Sequence, residues 1–106
     1  MIRNAFVMQL KKGCEAEYKK RHDALWPELK SLLFQHGIDS YYIYLDEENG
    51  KLFAFQSLVK SNTLAAISKD PVMKKWWKFM ADVMETNPDD SPLTFPLSEV
   101  FSLEKE

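Results

Sequence analysis

The chain has 106 residues, a formal net charge of −2, 45% hydrophobic and 28% charged residues, the make-up of one globular domain spanning residues 1–106. So weak a charge leaves no electrostatic footprint for nucleic acid or an anionic membrane, and no apolar run reaches the length of a membrane span. The lone cysteine, Cys14, excludes an internal disulfide and a thiolate metal cluster, and with no signal-peptide pattern at the N-terminus it points to a cytoplasmic protein.

Ile2 to Leu10 is a mostly apolar run of strand length, ended by Lys11-Lys12-Gly13. Helical character runs from Cys14 to Gln35. Pro27 interrupts it and suits the first turn of a second segment, which predicts a break near Trp26. Gly37 is placed to terminate that helix. Ile38 to Leu45 is strongly strand-prone, with Tyr42 and Tyr44 on one face and Tyr41 and Ile43 on the other. Asn49-Gly50 marks a hairpin turn, and Leu52 to Val59 returns as the next strand. Ser61 is placed to cap a short helix reaching Ser68. Asp70-Pro71 opens an amphipathic helix expected to run to Glu85, with Met73, Trp76, Trp77, Met80, Val83 and Met84 on one side and Lys74, Lys75 and Lys78 on the other. Asn87 to Pro92 is a loop dense in turn formers, and Leu97 to Leu103 reads as a last strand before a charged, frayed end.

The order is the βαββαβ pattern of a ferredoxin-like α+β domain, one antiparallel sheet with helices on one face. Its bare face needs a cover. A second copy laid face to face gives a dimeric α+β barrel, each subunit keeping a cavity between sheet and helices.

Four groups can meet in that cavity. Tyr18, His22 and Trp26 recur at a spacing of four and share a helix face, continued by Leu25, Leu29, Leu32 and Leu33. Polar rings on an inner face are often satisfied core residues, but a helix that only packs a core has no need of two. Tyr41 comes from the second strand. Trp76 and Trp77 point about 100° apart on their helix, so one can pack while the other walls a cavity. The loop from Asn87 to Pro92 adds carboxylates such as Asp89. Flat aromatic faces suit the C–H side of a sugar, and phenols and imidazole suit its hydroxyls. His22 is one of only two histidines, the side-chain type that titrates near neutral pH when unperturbed. There is no Gly-rich phosphate loop, no nucleophile elbow, and no ligand-spaced partner for His22 or His36.

The chain resembles the L-rhamnose mutarotase family across nearly its whole length. The residues that carry the likeness are Met-Ile-Arg at 1–3, Ala-Phe-Val-Met-Gln at 5–9, Glu17-Tyr18, Arg21-His22, Trp26-Pro27-Glu28-Leu29 and His36-Gly37. Further on are Tyr41, Ile43-Tyr44-Leu45-Asp46, Trp76-Trp77-Lys78, Met80, Asp82-Val83-Met84, Asn87-Pro88-Asp89 and Ser91-Pro92. The resemblance implies a homodimer that interconverts the anomers of L-rhamnose without cofactor or metal, with His22 as proton donor and Tyr18, Tyr41, Trp76 and Trp77 touching the sugar. The same fold also hosts small monooxygenases and haem-degrading proteins, and a non-catalytic dimerisation module is the third reading; fold alone does not choose among them.

Overall fold

The computed structural model of the protein describes residues 1–105. Strands β1 (Ile2–Gln9), β2 (Ile38–Asp46) and β3 (Lys51–Leu58) pair antiparallel, and a two-residue β4 (Phe95–Pro96) completes a sheet in the order β2-β3-β1-β4. Helices α1 (Glu15–Asp23) and α2 (Pro27–Gln35) lie between β1 and β2, and α3 (Pro71–Met80) between β3 and β4, which is the expected βαββαβ order.

The strand alternation sorts the sheet into two faces. On β3, Leu52, Ala54, Gln56 and Leu58 are buried, while Phe55 and its partner Tyr42 stand in solvent. The helices cover the first face. Leu29 of α2 and Leu52 of β3 are each only 1% exposed, and burial of a leucine side chain is worth about 1.5–3 kcal/mol.

The predicted break in the first helix falls at Ala24–Trp26. Trp26 is extended, at φ −61° and ψ 131°, as a residue before proline prefers, and Pro27 opens α2. Asp70 caps α3 as expected: its carboxylate accepts from the Val72 N–H at 2.8 Å. Three boundaries differ from expectation. The short helix after β3 is a 3-10 helix at Leu64–Lys69, and the side chain that accepts from its first N–H, at Leu64, belongs to Asn62 and not Ser61.

The second difference is the end of α3, which stops at Met80 rather than Glu85. Arg21 takes the Phe79 carbonyl at 2.6 Å, the Val83 carbonyl accepts from Lys11 N–H at 2.9 Å, and Glu85 N–H donates to Gln9 at 2.9 Å. Backbone pairing with the end of β1 thus replaces the last helical turn, and Val83 and Met84 stay buried without it. The third is the last strand. Pairing to β1 is confined to Phe95–Pro96 and the Leu97 N–H bond to Ala5, and residues 98–105 run on exposed and unpaired in the sheet. Pro96 has no N–H to donate to a ladder, which restricts this edge.

Gly37, predicted as a terminator, sits at φ +98°, where a Cβ would stand 2.6 Å from Asn62 Cβ and 2.9 Å from Val59 Cγ2. Its carbonyl also accepts from Val59 N–H at 2.9 Å, tying the end of α2 to the end of β3. Gly37→Ala is therefore expected to lower stability by about 2 kcal/mol or more in urea unfolding, from left-handed strain plus overpacking. An unchanged midpoint would mean that the 59–62 loop yields freely.

Candidate active site

Between the inner face of the sheet and the helices lies a cavity of about 850 Å³, within the size range of small-molecule sites. Tyr18 and His22 from α1, Tyr41 from β2, and Trp76 and Trp77 from α3 all line it. Most of the remaining wall is apolar and comes from the sheet, including Phe6, Met8, Ile43 and Leu45.

One helical turn sets the position of His22 over Tyr18. The two rings stack at 4.2 Å with an interplanar angle of 27°. Trp76 presents an edge to the imidazole at 5.3 Å and 83°. Behind it, Trp26 meets Trp76 edge-on at 5.1 Å, and Phe79 packs against both. The break before Pro27 carries Trp26 away from the face expected from a spacing of four, so it buttresses Trp76 and does not line the cavity.

His22 Nδ1 lies 3.1 Å from the Tyr18 carbonyl oxygen. A carbonyl only accepts, so Nδ1 carries the proton, and in the neutral ring Nε2 is left as the acceptor. Burial lowers the pKa of His22 below its ordinary 6.5; the bond to Tyr18 and the nearby Asp23 pull the other way without restoring it. The phenols behave oppositely. Burial, reinforced by Tyr41, pushes Tyr18 well above the usual tyrosine range. Tyr41 is pushed up to about 12 by burial, opposed by its hydrogen bonding with Gln56. Near neutral pH the cavity thus holds an imidazole able to accept a proton and two phenols able to donate hydrogen bonds.

The neighbour of His22 holds the frame. Arg21 donates to Glu17 at 2.8 Å and to Asp82 at 2.7 Å, and its guanidinium carbon sits 4.6 Å from the centre of the Phe79 ring. Together with the Phe79 carbonyl, these contacts strap α1 to the end of α3 and fix His22 against Trp76. Asp89 plays no part here. It is exposed, outside the cavity lining, and accepts from the N–H and hydroxyl of Ser91, which hold its carboxyl below the usual carboxylate range. His36 is also elsewhere, with Nδ1 at 2.6 Å from Thr63 Oγ1. Sequence reasoning passed over Gln56, a buried polar side chain on the inner face of β3. The signal was present in the alternation Leu52-Ala54-Gln56-Leu58, where an amide occupies an apolar register.

The geometry of His22 fixes two measurable properties. NMR of the ring nitrogens at pH 7.5 is expected to find the Nδ1–H tautomer, and an Nε2–H tautomer would contradict the Tyr18 hydrogen bond. Because the folded pKa lies below the unfolded value, the unfolded chain binds more protons between the two. The stability His22 contributes is therefore present above about pH 6.5 and is lost as pH falls through the folded pKa. His22→Gln should remove this part of the pH dependence of urea unfolding.

The family model described as L-rhamnose mutarotase matches residues 3–103. An L-rhamnose mutarotase of Flavobacterium johnsoniae is 54% identical over 103 residues, spanning 97% of this chain and 96% of its own length. One from Bacteroides thetaiotaomicron is 50% identical over 104 residues, spanning 98% of this chain and all of its own. The crystal structure of an L-rhamnose mutarotase from Formosa agariphila matches with a TM-score of 0.91 at 49% identity, covering 98% of this chain and 100% of that one. Sequence and fold agree from end to end, and the chain belongs to the L-rhamnose mutarotase family.

Proposed function

We propose that the protein interconverts the α and β anomers of L-rhamnose, with His22 moving the proton. The observation that carries this reading is an imidazole held through Nδ1 by the Tyr18 carbonyl and lining a cavity with aromatic neighbours, where burial favours its neutral form. Ring opening removes the proton from the anomeric hydroxyl, forms the C1–O1 double bond, breaks C1–O5 and delivers a proton to O5. His22 accepts the first proton at Nε2 and, as imidazolium, donates it to O5; its donor role follows from its basic one. The aldehyde turns about C1–C2, and the same steps in reverse close the ring on the other face. Electrons and protons balance within the sugar and one side chain. The chain's relationship to L-rhamnose mutarotases favours this chemistry over the oxygenase or haem-degrading reading.

Tyr18 and Tyr41 supply hydroxyl contacts as neutral donors. Of the paired tryptophans, Trp76 is wedged among His22, Trp26 and Phe79, so its first task is to hold the imidazole. Trp77 is half-buried and lines the cavity, which suits it to lie against the C–H side or methyl group of a 6-deoxy sugar.

The working unit in this proposal is a homodimer. Cross-strand pairs align Tyr44, Phe53, Val7 and Phe95 in one row of the outer face and Tyr42, Phe55 and Ala5 in the next. Tyr42 is 60% and Tyr44 64% exposed, an aromatic surface that a second copy would take out of water. Cys14 is a free thiol, in keeping with the reducing cytoplasm as the place of work.

NMR magnetisation transfer between L-rhamnose anomers tests the reading. His22→Ala should fold and lose about 10²–10⁴-fold in enzymatic exchange rate, the usual share of acid–base catalysis. Exchange at the unaltered rate would remove His22 from the mechanism. Trp77→Ala should raise KM more than it lowers kcat, and Trp77→Phe should keep part of the binding. Sedimentation should find a dimer that Phe55→Glu dissociates; a monomer at micromolar concentration for the unaltered protein would overturn the assembly.

A further inference from the structure

Gln56 is the one buried polar residue within an inner-face row that is otherwise apolar. Burying an amide without partners is costly, so its hydrogen bonds say what it is for. Its carbonyl oxygen Oε1 accepts from the Asn4 Nδ2 at 2.9 Å across the β1–β3 ladder, where Asn4 and Gln56 are direct partners. On its other side Gln56 is the direct partner of Tyr41 in the β2–β3 ladder, and both residues line the cavity. The three side chains Asn4, Gln56 and Tyr41 therefore form a row across three strands. With Oε1 committed to Asn4, the side of Gln56 that remains for the phenol is its amide N–H.

We propose that Asn4 and Gln56 are positioning residues that set the direction of the Tyr41 hydroxyl. Gln56 donates to the Tyr41 oxygen, and the phenol proton is left to point away from the sheet, toward a sugar oxygen in the cavity. The acidifying effect of Gln56 on Tyr41 has the sign of a donor to that oxygen, since donation stabilises the phenolate. A phenol fixed as donor recognises a hydroxyl or ring oxygen that can accept, and disfavours a group that can only donate. The inference rests on the sugar-contact reading of Tyr41, and its test separates the two.

The test is a double-mutant cycle on anomer exchange. Gln56→Glu reverses the polarity at this point: a carboxylate still accepts from Asn4 but also accepts from Tyr41, drawing the phenol proton out of the cavity. Loss of one neutral hydrogen bond to the sugar corresponds to about a fivefold rise in KM, expected for Gln56→Glu and Tyr41→Phe alike. Tyr41→Phe with Gln56→Glu should bind no worse than Tyr41→Phe alone, because there is no hydroxyl left to turn. If Tyr41→Phe leaves KM unchanged, the contact reading of Tyr41 itself fails. If Tyr41→Phe raises KM but Gln56→Glu adds its full effect in that background, Gln56 acts on packing or on the sugar directly and the positioning role is overturned. Should the buried carboxylate prevent folding, Asn4→Leu is the second probe. It frees Gln56 to flip, and should raise KM in the native background but not in Tyr41→Phe; equal effects in both would overturn the proposal.

Discussion

One hydrogen bond sets the state of the imidazole in the cavity: from His22 Nδ1–H to the carbonyl of Tyr18, one turn earlier in the same helix. It selects the tautomer and so decides which nitrogen is left free to accept a proton. The stacked Tyr18 ring and the edge of Trp76 restrict the imidazole on two sides. Burial supplies the rest by disfavouring the imidazolium, so that the resting group is a base. None of these effects is large alone. They act together because one short helix carries both rings and is pressed against α3.

That pressing has its own causes. The Pro27 break lets α2 turn its leucines onto the sheet while α1 keeps its polar rings at the cavity. The same break releases Trp26 to support Trp76 from behind. Arg21 closes the arrangement from the surface. Its ion pairs with Glu17 and Asp82 involve exposed carboxylates and are individually weak, but its bond to the Phe79 carbonyl and its place over the Phe79 ring anchor a helix end. The sheet divides the labour further. Its inner face supplies Tyr41, Gln56 and an apolar wall, and its outer face carries the exposed aromatics Tyr42, Tyr44 and Phe55.

Local rules made much of this legible in the sequence. Strand alternation, the Asn49-Gly50 turn, the Pro27 break and the Asp70-Pro71 start each have a cause within a few residues, and each stands where expected. The five proposed site residues do line one cavity. What escaped has causes far away in the chain. The end of α3 is decided by Arg21 and by the end of β1, more than fifty residues earlier, and Trp26 is placed by a helix break that a periodic reading of the face ignores. Gln56 escaped because its meaning lies in its partners on two other strands. The last strand was placed too late, at Leu97–Leu103, because the apolar residues after Pro96 look strand-like but have no ladder to join.

In the proposed mechanism His22 begins the reaction as a neutral base. The pH dependence of kcat/KM for enzyme-catalysed L-rhamnose anomer exchange tests it most directly, because the free sugar does not titrate near neutrality and the profile reports the free enzyme. The rate is expected to rise with pH through an apparent pKa below 6.5 and then to stay level through neutrality. A rate that falls as pH rises through that range would mean that the imidazolium starts the reaction and that His22 is not the initial base.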